Sequence, residues 1–548
     1  MTDREEEVAE AVKGSVEYLV RSVVTTGRGR VVLEGIPGLL GQALTTLKDH
    51  GLSHDLLSVC AVDLTAEGGG MQLVHHLGST REGVVVEVWT RLSGGDVAEG
   101  GAAPAGPSAA PSCARLWPSA VWLEREAWEL HGVVFDGHPG LERLLLPSWW
   151  VGHPLRRDEA RNRTAIAPGA EGAAADAPQD GPPAPQVQGG PTDWAPVALP
   201  LAAMGGTVGL EVRSQGGRVT AARVGPGHLH RGIEGLSEAR TWDGCLALAA
   251  RAAVRSSVHW QVAYASAVEQ LMGLQVPERG LALRVALMEL ERIADHMLAH
   301  ATTLELLGCH GPASRVWADR ELVMDAMQAA TGGRLVHDCV AIGGMRTDAP
   351  PGWAERLGQV AVLAGEASRA YAAEARGLPP WRRLRGLAPV HPDHMPGWGL
   401  SGVLLRASGP AVDARKDGRV GGYGGLPLDV HALEGADAEA RGELRLLEIA
   451  SSARVLAHLS KAMPGGRVRE EGREEVPPGR ALGVVEDPRG ELHCMVVSSG
   501  SDRPRRVHFR SPDLAHAAAL GEVLLGVPAD SVALAVASVD ICVGGVDR

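Results

Sequence analysis

The chain has 548 residues, enough for two or more hydrophobic cores, and a formal net charge of −13 that leaves no basic footprint for nucleic acid or for an anionic membrane surface. Two Phe and four Tyr beside 71 Gly and 35 Pro mean that Leu, Val, Ala and Trp must pack the interior. The seven cysteines contain no C-x-x-C pair, the start MTDREEEVAE lacks a basic-then-apolar leader, and no apolar run reaches about eighteen residues without a charge. The expectation is a cytoplasmic chain with idle thiols, which meets a membrane only through partners.

The fold class expected is α+β: a small α+β domain over 1–164, an Ala/Gly/Pro-rich flexible linker over 165–193, and a mainly helical domain with peripheral β-hairpins over 194–548. In the first part, LLGQALTTLKDH (39–50) has helical spacing, whereas MQLVHHL (71–77) and GVVVEVWTRL (83–92) suit adjacent strands. The Gly/Ala/Pro-rich stretch 93–112 reads as a mobile loop, and LEREAWEL, followed by a glycine turn, as a helix. Glu124, Glu126, His131, His138 and His153 cluster here, but no pair has zinc-motif spacing, so neither a metal site nor catalysis is expected of them.

In the second part, TVGLEV and RVTAARV predict a hairpin around 214–217. The segment 246–274 has helical spacing and carries Arg251, Arg255, His259 and Glu269, groups that need partners if buried. In 281–307 the residues Leu283, Leu287, Leu290, Ala294, Met297 and Leu298 recur at steps that give a helix with one buried face, with Arg284, Glu291 and Asp295 between them. Further helices are expected after residue 312, over 354–374 and from 442, with a glycine turn near 343–344. A hairpin turning at Asp487-Pro488-Arg489-Gly490 precedes a last helix and the tail SVDICVGGVDR.

Several motifs carry a resemblance. Trp117 onwards, with Glu124-Arg125-Glu126, Glu129 and Gly132 on an E-R-E-x-x-D-x-x-G signature, resembles the 30-kDa subunit of respiratory complex I. HRG-x-E at His230, AVE-x-L-x-G-x-x-VP-x-R from Ala267, the segment holding Asp413 and Arg415, and the terminal SVDICVGGVDR resemble the superfamily of the complex I 49-kDa subunit and the large subunit of group 4 nickel–iron hydrogenases, including the formate hydrogenlyase type. The resemblance implies a fused subunit of a membrane-associated redox complex, with an iron–sulfur small subunit, other hydrophilic subunits and membrane-arm subunits as partners, on the cytoplasmic face of the cell membrane. No cofactor is expected on this chain itself; quinone is the family's acceptor, and the iron–sulfur cluster belongs to a partner.

Laid on this sequence, the four thiolate positions of a nickel–iron centre fall on Ala253, Ser256, Cys542 and Gly545, so no metal is expected. The His and Tyr that donate protons to quinone in complex I fall on Gly205 and Val254. The implied cavity walls are Gly205, His230, Arg231, Arg251, Val254, Ser256, Asp540, Cys542 and Asp547, with His259, Arg255, Asp413 and Arg415 as catalytic candidates. Arg231 or Arg255 is expected to pair with Asp413, Asp540 or Asp547, and His259 is the one member of this group whose side chain could change charge near neutral pH. A proton relay and a satisfied core histidine both remain open for it. For the chain as a whole, electron transfer to quinone or another acceptor, a non-catalytic scaffold and, last, a hydrogenase remain open.

Overall fold

β-Branched runs near the start of the chain form one sheet, because such side chains pack well on a pleated surface. The computed structural model describes residues 3–27, 30–51, 55–65, 70–79, 84–92, 108–157, 193–199, 201–390, 395–471 and 475–548. Strands β1 (Val20–Gly27), β2 (Arg30–Gly35), β3 (Asp55–Leu64), β4 (Gly70–Ser79) and β5 (Val84–Arg91) lie in the order β1-β2-β5-β4-β3. Only β2 and β5 pair in parallel; the expected strand pair β4–β5 is antiparallel, with Val74 opposite Trp89. Helices α1 (Asp3–Val16), α2 (Leu40–Asp49) and α3 (Ala120–His131) complete the unit, α3 against β3. Of the expected loop 93–112, residues up to 107 lie outside the described set, and its end forms a short strand, β6 (Ala109–Pro111), parallel to β7 (Val134–Asp136). The expected linker lies outside the described residues as far as residue 192.

Helix α3 holds the tail that follows it. Glu129 accepts the backbone N–H groups of Leu144, Leu145 and Leu146 at 3.2, 2.8 and 2.8 Å, and Arg125 donates to the carbonyls of Glu142 and Arg143. Glu124 accepts from Ser112 Oγ at 2.6 Å and from the Cys113 N–H at 2.7 Å. Gly132 ends the helix at φ +75, where a side chain would also press on the His153 ring. Glu124, Arg125 and Glu129 are therefore bonded to backbone and neighbouring side chains.

The chain divides into two compact units, Met1–Thr192 with Gly225–His228 and Asp393–Gly399, and Asp193–Val224 with Leu229–Pro392 and Leu400–Arg548. The second begins with a three-stranded sheet of β8 (Ala195–Pro196), β9 (Gly209–Gln215) and β10 (Arg218–Gly225), the last two joined at Gly216-Gly217. The segment expected as one helix over 246–274 is two, α4 (Trp242–Ala252) and α5 (Ser257–Met272), because Ala253 is extended (φ −130, ψ 105) and the chain turns Arg255 inward. Helix α6 (Glu278–Leu306) corrects the one-faced expectation: residues 282–297 are all buried, charged ones included. Then come α7 (His310–Thr331), the small hairpin β11 (Val340–Ala341) and β12 (Gly344–Met345), α8 (Trp353–Gly377) and α9 (Ala438–Ala462). The hairpin β13 (Gly479–Asp487) and β14 (Gly490–Ser498) takes β15 (Arg506–Arg510) as a third strand. The single final helix expected is three: α10 (Pro512–Val523), α11 (Val532–Val539) and α12 (Val543–Val546).

His75 makes the first unit sensitive to acid. It sits on the Leu73 and Leu77 face of β4, fully buried, with no hydrogen-bond partner for either ring nitrogen. Burial lowers its pKa from 6.5 to about 4. Between those values the unfolded chain binds a proton that the folded chain refuses, so stability falls as pH drops through this window and is unaffected above it. His75→Leu should raise stability at pH 5 by about 1–3 kcal/mol and change it less at pH 8. Hydrogen exchange of the β4 amides in the full chain, wild type against variant at both pH values, measures this.

Candidate functional site

The break between α4 and α5 places Arg255 and Ser256 at the centre of the second unit. Arg255 is buried and donates from Nε to Asp295 of α6 at 2.7 Å and from Nη1 to Asp540 at 2.8 Å. Burial opposes its charge, but Asp295 and Asp540 outweigh it and hold its pKa above the ordinary value. Asp540 closes α11 at φ +65, a left-handed conformation that costs a non-glycine residue strain of about 1 kcal/mol or more. Arg255 on one oxygen and Arg445 at 3.7 Å from the other keep it there, and its carboxyl is held well below the usual range despite burial.

A second guanidinium, Arg489, comes from the β13–β14 turn. It donates to Asp513 at 2.9 Å, Asp295 at 3.1 Å, Ser256 Oγ at 2.7 Å and Asp487 at 2.9 Å. Asp513 in turn accepts the Cys542 N–H at 2.8 Å, which ties the terminal segment to the same group. Asp295 is thus shared by two arginines from opposite ends of the sequence.

This arrangement does not fit a nickel–iron centre. Ala253 has no donor, the Ser256 hydroxyl accepts from Arg489, and a side chain at Gly545 would clash with the Asp513 carboxylate. Cys542 supplies one thiol, and burial pushes its pKa up, so it is protonated at neutral pH. Positive guanidiniums stand among positions where a metal ion would need thiolates.

Gly205, Val254 and Cys542 come together. A Cβ built on Gly205 would lie 3.6 Å from Val254 Cγ2 and 3.9 Å from Cys542 Sγ. Val254 is 43 % exposed, so the place is open at the surface of this unit. Of the two arginines expected to pair with an aspartate, Arg255 does so with Asp540, whereas Arg231 donates to the carbonyls of Leu229, Arg251 and Ala252 at 3.1, 2.7 and 2.8 Å, since the last carbonyls of α4 lack helical partners. Arg251 is exposed and bonds the Ala247 carbonyl. His230 Nδ1 lies 3.0 Å from the Asp547 carbonyl, and Asp547 accepts the Leu229 N–H at 2.8 Å.

Asp413 pairs with neither Arg231 nor Arg255. Its partners are Arg415, at 2.9 and 2.6 Å, and Arg406 at 3.5 Å. Arg415 reaches Glu289, which also accepts from Tyr423 and Ser452 at 2.5 Å each. Arg406 bonds Glu448 and Glu486 at 2.7 Å, and Glu448 lies 3.0 Å from His296. This forms a second buried network, joined to the first where Arg292 donates to the Glu486 and Asp487 carbonyls.

His259 is not the neutral-pH switch. Its Nδ1 lies 2.7 Å from Glu291, and burial reinforced by Arg292, Arg489 and Arg415 holds its pKa far below 6.5. Burial pushes Glu291 up to about 8, against the backbone N–H groups of Val258 and His259. Burial likewise raises Asp487 to about 6 and Glu486 to about 7. The groups that titrate near neutral pH are these carboxyls, which sequence reasoning missed together with Arg489, Asp295 and Asp513. The signal for them was the density of charge within the apolar pattern of α6 and at the D-P-R-G turn.

Comparison with known proteins places both units. Residues 37–164 match the model of the respiratory-chain NADH dehydrogenase 30 Kd subunit, and 307–478 with 470–548 match that of the 49 Kd subunit. The C/D subunit of NADH-quinone oxidoreductase from Rhodopseudomonas palustris strain BisA53 is 30 % identical over 480 residues, covering 80 % of this chain and 82 % of that one. Its counterpart in strain BisB18 is 28 % identical over 544 residues, 90 % of each chain, and that of Nitrosospira multiformis is 28 % identical over 480, 80 % of this chain and 78 % of that one. Among solved structures, one chain of the membrane-bound sulfane sulfur reductase, an archaeal respiratory membrane complex, aligns with a TM-score of 0.61 at 27 % identity, over 66 % of this chain and all of that one.

The network predicts its own fragility. Arg489→Ala would leave Asp295, Asp487 and Asp513 buried with a lost counter-charge and should cost roughly 3–5 kcal/mol. Thermal unfolding of the full chain, with Arg469→Ala on a partly exposed side chain as control, reads it.

Proposed function

This chain belongs to the family of fused NADH-quinone oxidoreductase C/D subunits, and from that premise we propose that it presents the acceptor-reducing site of a complex-I-like oxidoreductase at the junction of Gly205, Val254 and Cys542. Its subunit role in such a complex follows from the family. No helix among the described residues is long and apolar enough to cross a membrane, and the similar solved chain belongs to a membrane-bound complex.

The observation that carries the reading is the convergence of half-buried Gly205, exposed Val254 and the buried thiol of Cys542. An iron–sulfur cluster on a small partner subunit would supply the electrons, and quinone or a related acceptor would take two electrons and two protons there. The His and Tyr of complex I are absent, so one proton comes from Glu291, whose carboxyl burial lifts to about 8, and the second from solvent. The second reading, a non-catalytic scaffold, draws on the same closed ion network, which makes the subunit rigid without any acceptor.

Val254→Trp separates the two. The site is 43 % exposed, so the larger ring is accommodated without displacing buried side chains. In membranes containing the assembled complex, quinone-analogue reduction should fall at least ~10-fold. An unchanged rate in a fully assembled complex favours the scaffold.

A further inference from the structure

Away from this site, helices α8 and α9 form a groove whose lining is charged in an ordered way. They pack closely where Gly365 meets Ala453 and Gly358 meets Ser460. These pairs fix an antiparallel register, which two turns further on brings Ser368 and Ala372 opposite Ala450 and Leu446. Small side chains there leave a groove of about 380 Å³, lined by Ser368, Arg369, Ala372, Arg376, Glu443, Leu446, Leu447 and Ala450. That volume is in the range of small-molecule sites.

Arg369 and Arg376 are seven residues apart, so they stand on one face of α8, roughly 10 Å apart along its axis. Among the described residues Arg369 makes no hydrogen bond or ion pair, and Arg376 donates only from Nε, to the Ala372 carbonyl. Glu443 lies on the α9 wall and among the described residues makes no ion pair; it feels the charge of Arg385, whose guanidinium is bonded to Glu439. The floor is apolar, and Leu447 is 38 % exposed. Neighbouring surface arginines are satisfied: Arg454 of α9 by Asp429, Arg315 of α7 by Glu374 of α8, and Arg385 by Glu439 of α9.

Two free guanidiniums on one wall, a free carboxylate on the other and an apolar floor are complementary to one amphiphile: a phosphate adjoining a primary ammonium, with an acyl chain. We propose that this groove binds the headgroup of a phosphoethanolamine lipid, the phosphate on Arg369 and Arg376, the ammonium on Glu443, and the first methylenes over Ala372, Leu446, Leu447 and Ala450. Planar guanidiniums suit a phosphodiester, and a carboxylate accepts three N–H donors of an ammonium better than it solvates a trimethylated one. Such a site lets a chain of net charge −13 meet a lipid surface through a zwitterion rather than through bulk attraction.

Titration of the full chain with dihexanoyl phosphatidylethanolamine, dihexanoyl phosphatidylcholine and inorganic phosphate, read by native mass spectrometry, tests this. The ethanolamine lipid should bind about tenfold more tightly than the choline lipid, and phosphate alone hardly at all. Arg369→Ala with Arg376→Ala should weaken it about tenfold, and Glu443→Gln should erase the preference for ethanolamine over choline. All three positions are at the surface, so folding is kept, and circular dichroism verifies it. Equal binding of both lipids, equal binding of free phosphate, or variants that bind like wild type would overturn the proposal.

Discussion

The guanidinium of Arg489 bonds Ser256, Asp295, Asp487 and Asp513, and most of the second unit depends on that one group. Ser256 begins α5, Asp295 lies in the middle of α6, Asp487 and Arg489 flank the β13–β14 turn, and Asp513 opens α10 and holds the terminal segment through Cys542. A charge buried this far is tolerated only with close counter-charges and satisfied hydrogen bonds. Each element is therefore constrained by the others, and the break between α4 and α5 is the geometric consequence: an unbroken helix could not turn Arg255 onto Asp295 and Asp540.

Much of the architecture was legible because it follows from periodicity and punctuation. The strand pair β4–β5, helix α2, helix α3 with its Gly132 stop, and the hairpin at Asp487 to Gly490 each rest on local signals that burial then reinforces. What was not legible is non-local. Arg284, Glu291 and Asp295 read as the polar side of α6, since polar residues between apolar ones ordinarily face water. Only partners far away in sequence, Glu269, His259, Arg255 and Arg489, make them interior. The same holds for Arg231, whose partners are helix-end carbonyls with no sequence signature, and for Asp413, which pairs two residues along with Arg415 and with Arg406 rather than across the site.

The substitutions at Gly205 and Val254 remove the two proton donors that the resemblance implies, yet the chain retains acid groups one layer deeper. Desolvation leaves Glu291 holding its proton at neutral pH and lifts Glu486 and Asp487 towards it, while burial, reinforced by the neighbouring arginines, keeps His259 uncharged. Burial, which makes a carboxylate costly, makes a carboxylic acid a usable donor. The functional reading thus moves the acid–base role from the walls of the site to the network behind it.

Guanidinium–carboxylate pairs, not thiolates, surround the positions 253, 256, 542 and 545, and on this the whole functional reading turns. The most direct test is the metal content, per mole of this chain, of the intact complex purified from its native membranes. Iron from partner subunits and no nickel is the expected result. Stoichiometric nickel that stays with this chain when the partners are stripped away would contradict it.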